Sequence, residues 1–100
     1  MWIRYNNLDN YLKHTVFDDY GAITDALTQT IQQGIYRFEK NTCTNLPSDI
    51  IGGTILTLVV SGDKEILCSV RLMLGYSGSD VNIYTSIYSA GLTYGTWHKI

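Results

Sequence analysis

The residues of this 100-residue chain that could do chemistry are two histidines, two cysteines and nine carboxylates. His14 stands in LKHTVFDDY, close ahead of Asp18 and Asp19. A histidine with a carboxylate beside it can act as a general base, but a surface histidine near a helix start explains the same residues. His98 lies in the last strand pattern with Tyr94 and Thr96 on its face. That position suits a cross-strand polar pair better than a ligand contact. Cys43 would be a nucleophile only with a histidine and an orienting group brought to it in space. Neither Cys43 nor Cys68 has the CxxC or Cys/His spacing of a metal site, and one candidate pair is a weak sign of a disulfide scaffold. Cys43 falls in a polar loop and Cys68 in an apolar strand, which points to two free thiols. Asp18, Asp19, Asp25 and Asp49 have neither glycosidase nor calcium-loop spacing. Gly52-Gly53 lacks the rest of a phosphate-binding fingerprint. The expectation is a non-enzymatic protein with no cofactor and no metal.

Composition narrows the classes further. The net charge of −2 is the wrong sign for the basic footprint that nucleic acid requires. No stretch approaches the ~20 apolar residues that span a bilayer, and the first residues lack the basic-then-apolar order of a secretory signal. One hundred residues make one domain, which buries roughly 65% of its unfolded surface. Eight tyrosines stand out. Each joins a large ring to a polar tip, and so suits half-buried strand faces and contact surfaces.

These residues must be positioned by the elements that the patterning predicts. Residues 1–20 are mixed, with a short strand expected around Trp2, Ile3 and Tyr5. In AITDALTQTIQQ, residues 22–33, the apolar and small residues Ile23, Ala26, Leu27, Thr30 and Ile31 recur at helical spacing. Asp18 and Asp19 stand upstream, where carboxylates favour a helix N-terminus, and Gly34 follows as a helix stop. Strands are expected at GIYRFEK (34–40), TILTLVV (54–60), EILCSVRLMLGY (65–76), VNIYTSIY (81–88) and around 93–99. Turns at 61–64, 77–80 and 89–91 join them. Such short connections force antiparallel neighbours. The predicted fold is α+β: one short helix packed on an antiparallel meander of about five strands.

One surface in that fold invites function. With Val81, Ile83 and Ile87 facing the core, Asn82, Tyr84, Ser86 and Tyr88 face away from it. A row of rings with hydrogen-bonding rims suits a subunit interface, a plain sheet surface or a ligand contact, in that order. TILTLVV is apolar on both faces and so needs cover on both, one side from the helix and the other from another chain.

The order of these signals resembles the pyocin-knob family of domains in tail fibres of bacteriophages and phage-tail-like bacteriocins. The likeness covers about residues 21–100. It runs from a short helix into Gly34-Ile35-Tyr36, then NLP at 45–47, IIGGTILTLVV at 50–60, a hairpin, the strand with Tyr84 and Tyr88, and GTWHKI at 95–100. Cys43 and the first twenty residues depart from the pattern. The resemblance implies a structural, non-enzymatic tail-fibre or baseplate module, trimeric, that helps form a receptor-binding tip. Its matching positions are structural: Gly34 as helix stop, Ile35 and Tyr36 opening a strand, Gly53 ahead of the central strand, and Trp97 in the closing strand. Other tail proteins and cell-surface polysaccharide follow as partners, and assembly in the host cytoplasm agrees with unpaired thiols. Copies in this family often stand in tandem, so MWIRYN resembles the closing strand of a preceding copy, with residues 1–20 as linker and 21–100 as the knob. The residues expected to meet a ligand or a neighbouring subunit are Asn82, Tyr84, Tyr88, Tyr94, Trp97 and His98. A monomeric carbohydrate-binding module of an exported protein and a small enzyme are the competing classes.

Overall fold

The computed structural model describes residues 18–62, 67–89 and 94–100. The strand expected near residues 2–5, the tandem closing segment, His14, and parts of the turns at 61–64 and 89–91 lie outside these. Six strands form one sheet in sequence order: β1 (Asp18–Ala22), β2 (Gly34–Glu39), β3 (Gly52–Gly62), β4 (Leu67–Ser77), β5 (Asp80–Ser89) and β6 (His98–Lys99). Strands β2 to β6 are antiparallel, whereas β1 runs parallel to β2.

The fold is therefore all-β with a mixed sheet, and the predicted α+β class is wrong. No helix occurs among the described residues, and none there could cross a membrane. Residues 22–33, read as the helix, instead finish β1 and make the crossover to β2. The reason is where their backbone carbonyls go. Leu27 O accepts from the Arg71 guanidinium, Thr30 O from Thr57 Oγ1 at 2.7 Å, Ile31 O from Ser69 Oγ at 2.8 Å, and Gln32 O from Tyr36 OH at 2.5 Å. Of these, Leu27 O is an acceptor that a helix would have used internally, and the carbonyls of residues 30–32 are fixed on the sheet's side chains. Asp25 Oδ1 accepts from the Leu27 and Thr28 amides, and Gln29 Oε1 from those of Thr24 and Asp25. One helix-like backbone bond runs from Gln29 N to Asp25 O at 3.3 Å.

Gly34 is not a helix stop either. It opens β2, and a β-carbon there would come within 2.5 Å of the Tyr20 ring and 2.7 Å of Asp18 O. Glycine lets β1 lie close, so that Tyr20 stacks on Tyr36 with centroids 5.0 Å apart and planes at 13°. Strand β1 also carries Asp19, whose carboxylate pairs with Arg37 on β2 at 2.7 Å.

The crossover, the loop 40–51 and the C-terminal segment cover one face of the sheet. The core between them holds Ile23, Ala26, Tyr36, Phe38, Cys43, Ile50, Ile55, Met73 and Tyr84, with Leu46 and Trp97 packed against it. Tyr36, Ile55, Met73 and Tyr84 form one cross-strand row. Each large apolar side chain in it contributes about 1.5–3 kcal/mol on burial. Gly75 leaves room for Ile50, which a β-carbon would approach to 2.8 Å. The next row is polar: Thr57, Arg71 and Ser86 are opposite one another, and all three are essentially fully buried, as is Ser69.

The other face is bare among the described residues. Leu58, Leu74, Val81, Ile83 and Ile87 project from it, each more than a third exposed. Strands β3 and β4 alternate between the two faces, but the assignment of β5 is reversed. Tyr84 and Ser86 point into the covered face, and Val81, Ile83 and Ile87 point out.

Candidate functional site

Five of the six residues singled out from sequence lie around the covered face in two groups, with Arg71 between them, and His98 stands apart. At one end Tyr84 is buried, and its hydroxyl donates to Asp49 Oδ1 at 2.5 Å. Asn82 Nδ2 donates to Asp49 Oδ2 at 3.3 Å and Ser77 Oγ at 3.2 Å. Loop 40–51 is thereby tied to β5. The Tyr84 hydroxyl holds the Asp49 carboxyl below its ordinary value, with Lys99 adding a smaller pull the same way, and Asp49 in turn raises the Tyr84 phenol. A donated hydrogen bond favours the carboxylate and disfavours the phenolate for the same reason.

In the middle stands Arg71, which the sequence reading passed over. Its side chain has no exposed surface. One terminal nitrogen donates to Leu27 O and to Thr30 Oγ1 at 3.2 Å; the other donates to Tyr94 O and to Ser86 Oγ at 2.9 Å. Its Nε–H has no partner. No carboxylate pairs with it among the described residues. Burial lowers its pKa, and the nearby Tyr88 acts in the opposite direction. The Trp97 ring lies beneath the guanidinium, with the central carbon 5.5 Å from the ring centroid. A buried cation is costly unless its donors are met. Here carbonyl and hydroxyl oxygens and a π-face meet most of them, and so one side chain fastens the crossover, β5 and the C-terminal segment to β4.

The second group surrounds that cation. Tyr88 and Tyr94 lie with ring centroids 5.3 Å apart, tilted by 41°. Tyr94 is 45% exposed. Trp97 is half-buried, and its indole N–H donates to Asn45 O at 3.0 Å. Asn45 has a left-handed φ of 59° and also donates to Asp25 Oδ1 at 2.9 Å. The loop is thus shaped to meet both the crossover and the tryptophan.

His98 is exposed and belongs elsewhere. It is opposite Thr85 on the bare side, with Nε2 3.1 Å from Thr96 Oγ1. These residues, with Ser86, Ile87 and Gly95, line an open recess of about 360 Å³ at the β5–β6 edge. Cys43 and Cys68 are both unbridged, and burial raises the Cys43 thiol. A raised thiol carries little thiolate, and so Cys43 behaves as a small core residue.

The structure therefore brings Tyr88, Tyr94 and Trp97 together around Arg71, sets Asn82 and Tyr84 on Asp49, and leaves His98 apart. The missed hub had a signal. In SVRLML an arginine shares its strand face with Ser69 and Met73, and a charge between apolar neighbours is either buried and satisfied or placed for function.

Fold and site together define a small all-β domain whose covered face joins an apolar core row to a buried polar row centred on Arg71, and whose other face is apolar and open among the described residues. No family model, curated protein or solved structure matches the chain.

Proposed function

We propose that this chain is a non-enzymatic structural and receptor-binding module of a phage tail fibre or baseplate, working in several copies and contributing to recognition of a host-surface glycan. The observation that carries the reading is the aromatic rim of Tyr88, Tyr94 and Trp97 braced by the buried Arg71. Saccharides offer flat apolar faces edged with hydroxyls, and tyrosine and tryptophan rings with polar tips complement them. A rigid mount matters because a ring already held in place loses little freedom on binding. The ordered pattern from Gly34 to Lys99 supports the tail-fibre context by its resemblance to pyocin-knob domains. Tyr84 leaves the list of ligand contacts under this reading: it is buried and acts as a tie to Asp49.

The test is binding of the full chain to a panel of purified bacterial surface polysaccharides, followed by chromatography of the polymer. Binding that leaves polymer length unchanged and falls at least tenfold in Tyr94→Ala is expected. Depolymerisation would refute the non-enzymatic reading. Failure to bind any of the panel, or binding indifferent to Tyr94, would refute the recognition surface.

A further inference from the structure

We propose that the glycan met by the aromatic rim is an acidic one, and that a carboxylate on it seats in the recess walled by Ser86, drawn by the buried charge of Arg71. The inference deepens the reading above, on which it rests for the glycan, by naming the ligand's charge and its seat. Its main support is a cation with no counterion. Arg71 is fully buried, and its terminal nitrogens donate only to carbonyls and hydroxyls, all of them neutral. Among the described residues no carboxylate pairs with it. A buried charge is ordinarily paired or neutralised, but arginine keeps its proton at every working pH. A permanent, unbalanced positive charge therefore stands beside Ser86 of β5.

The unmet donor points the same way. In a planar guanidinium the Nε–H lies on the same edge as one hydrogen of Nη2. Nη2 donates to Ser86 Oγ at 2.9 Å and to Tyr94 O. The unpartnered Nε–H is thus turned toward β5 and the 94–98 segment, and away from the crossover that Nη1 serves. That side holds the recess of about 360 Å³ lined by Thr85, Ser86, Ile87, Gly95, Thr96 and His98. Its volume falls among those of small-molecule sites, about 300–1,000 Å³. None of its lining residues is a carboxylate. Ser86 Oγ is at once a wall of the recess and an acceptor from Arg71. A hydroxyl whose oxygen is engaged by a cation is a stronger donor to an anion in front of it. Thr85 and Thr96 add two more hydroxyls.

Rim and recess share one segment of chain. Tyr94 and Trp97 belong to the rim, and Gly95, Thr96 and His98 to the recess. A sugar acid carries its carboxylate directly on the ring. A polymer lying along this segment therefore stacks on the tyrosine and tryptophan while a carboxylate enters the recess. One cation is too few for the continuous phosphates of nucleic acid, but it matches one carboxylate per sugar repeat. The net charge of −2 does not reverse this, because exposed charges more than about 8 Å away are largely screened in physiological salt, whereas a buried one is screened much less.

The experiment is calorimetry of the full chain with the polysaccharide panel, and with its acidic members after their carboxyl groups are reduced to primary alcohols. The members bound should carry a uronic acid, and reduction should weaken their binding at least tenfold. Thr96→Asp sets a fixed anion in the recess at an exposed position. It should weaken binding of the acidic polymer at least tenfold more than that of the reduced one, with strand content by circular dichroism unchanged. Asn41→Asp adds the same charge at an exposed place on the loop after β2, and should leave binding as it was. A neutral or phosphate-bearing member bound more tightly than every uronic acid would overturn the proposal. So would an affinity indifferent to reduction or to Thr96→Asp, which would make Arg71 a brace alone. The two readings fail distinguishably: a neutral polymer whose binding depends on Tyr94 removes the carboxylate seat and keeps the recognition surface, whereas no binding by any member removes both.

Discussion

Replacing Arg71 with methionine tests the central claim about the covered face. Methionine keeps most of the stem volume and removes the charge and every donor. Leu27 O and Tyr94 O then lose the guanidinium as partner, and each such buried acceptor costs about 1–3 kcal/mol. Thr30 Oγ1 and Ser86 Oγ can turn to other acceptors; Thr30 already donates to Ala26 O at 2.8 Å. Loss of the contact with the Trp97 ring adds about 1–2 kcal/mol. Against this, the variant escapes the desolvation of a buried cation, an effect of several kcal/mol. The orphaned carbonyls decide the sign, because they belong to backbone that methionine cannot satisfy. A net loss of about 3 kcal/mol is expected, the size of one or two buried carbonyls left without a donor. A chain of this length has about 5–15 kcal/mol in total, so the midpoint of a melt should fall by about 12–25 °C. Urea unfolding followed by tryptophan emission, with hydrogen exchange on residues 23–33, measures both the global loss and the release of the crossover. Arg71→Lys should recover less than half, because a single ammonium cannot reach carbonyls on opposite sides. A variant Arg71→Met as stable as the parent would show that the network only offsets its own burial, and the account of the covered face would be wrong.

Three further outcomes follow from the same geometry. Thr57→Val leaves Thr30 O without its 2.7 Å donor at constant shape, and should lower stability by about 1–2 kcal/mol in urea. Gly53→Ala would press a β-carbon onto Leu74 O and within 2.9 Å of Gly75 Cα, backbone that cannot step aside, so a loss of about 2–3 kcal/mol is expected. Tyr84→Phe should bring the Asp49 titration seen by NMR back up toward 3.8. The Asp49 pKa is depressed in the folded chain, so the tie stabilises fully above the unfolded value and fades as pH falls through the folded one. The gap in urea midpoint between parent and Tyr84→Phe should therefore hold at neutral pH and shrink in acid; a gap unchanged in acid would mean that the Asp49 bond is not its source.

Much of the sheet was legible because β propensity and alternation act locally. TILTLVV, EILCSVRLMLGY and VNIYTSIY are long, rich in branched or aromatic side chains and bounded by turn residues, and they became β3, β4 and β5 in antiparallel register. Strand β1 was not legible. DDYGA has no apolar alternation, and it pairs because Gly34 admits Tyr20 onto Tyr36, a long-range fit between single residues. The helix failed for a similar reason. Ile23, Ala26, Leu27, Thr30 and Ile31 carry a genuine helical period, but Arg71 claims Leu27 O, and Thr57 and Ser69, far along the chain, fix the carbonyls of Thr30 and Ile31 on the sheet. Of the site, the aromatic trio was visible as residue types, while Arg71 and Asp49 acquire their roles only when the strands and loop converge.

The reversal of β5 has a physical cause. Apolar side chains were assigned to the interior because a monomer has nowhere else to hide them. The layer that covers this sheet, however, is irregular chain from 23–33, 40–51 and 94–97, which carries carbonyls unpaired within itself. Buried carbonyls need donors, and only the hydroxyl and guanidinium side of the strands can supply them. On β2 to β4 those donors are Tyr36, Thr57, Ser69 and Arg71. The inward side chains of β5 serve the same layer in another way: Asn82 and Tyr84 donate to the Asp49 carboxylate, and Ser86 accepts from Arg71. Ile83 and Ile87 could make none of these ties, so β5 turns its polar and tyrosine side inward, where Tyr84 also joins Ile55 and Met73 in the core.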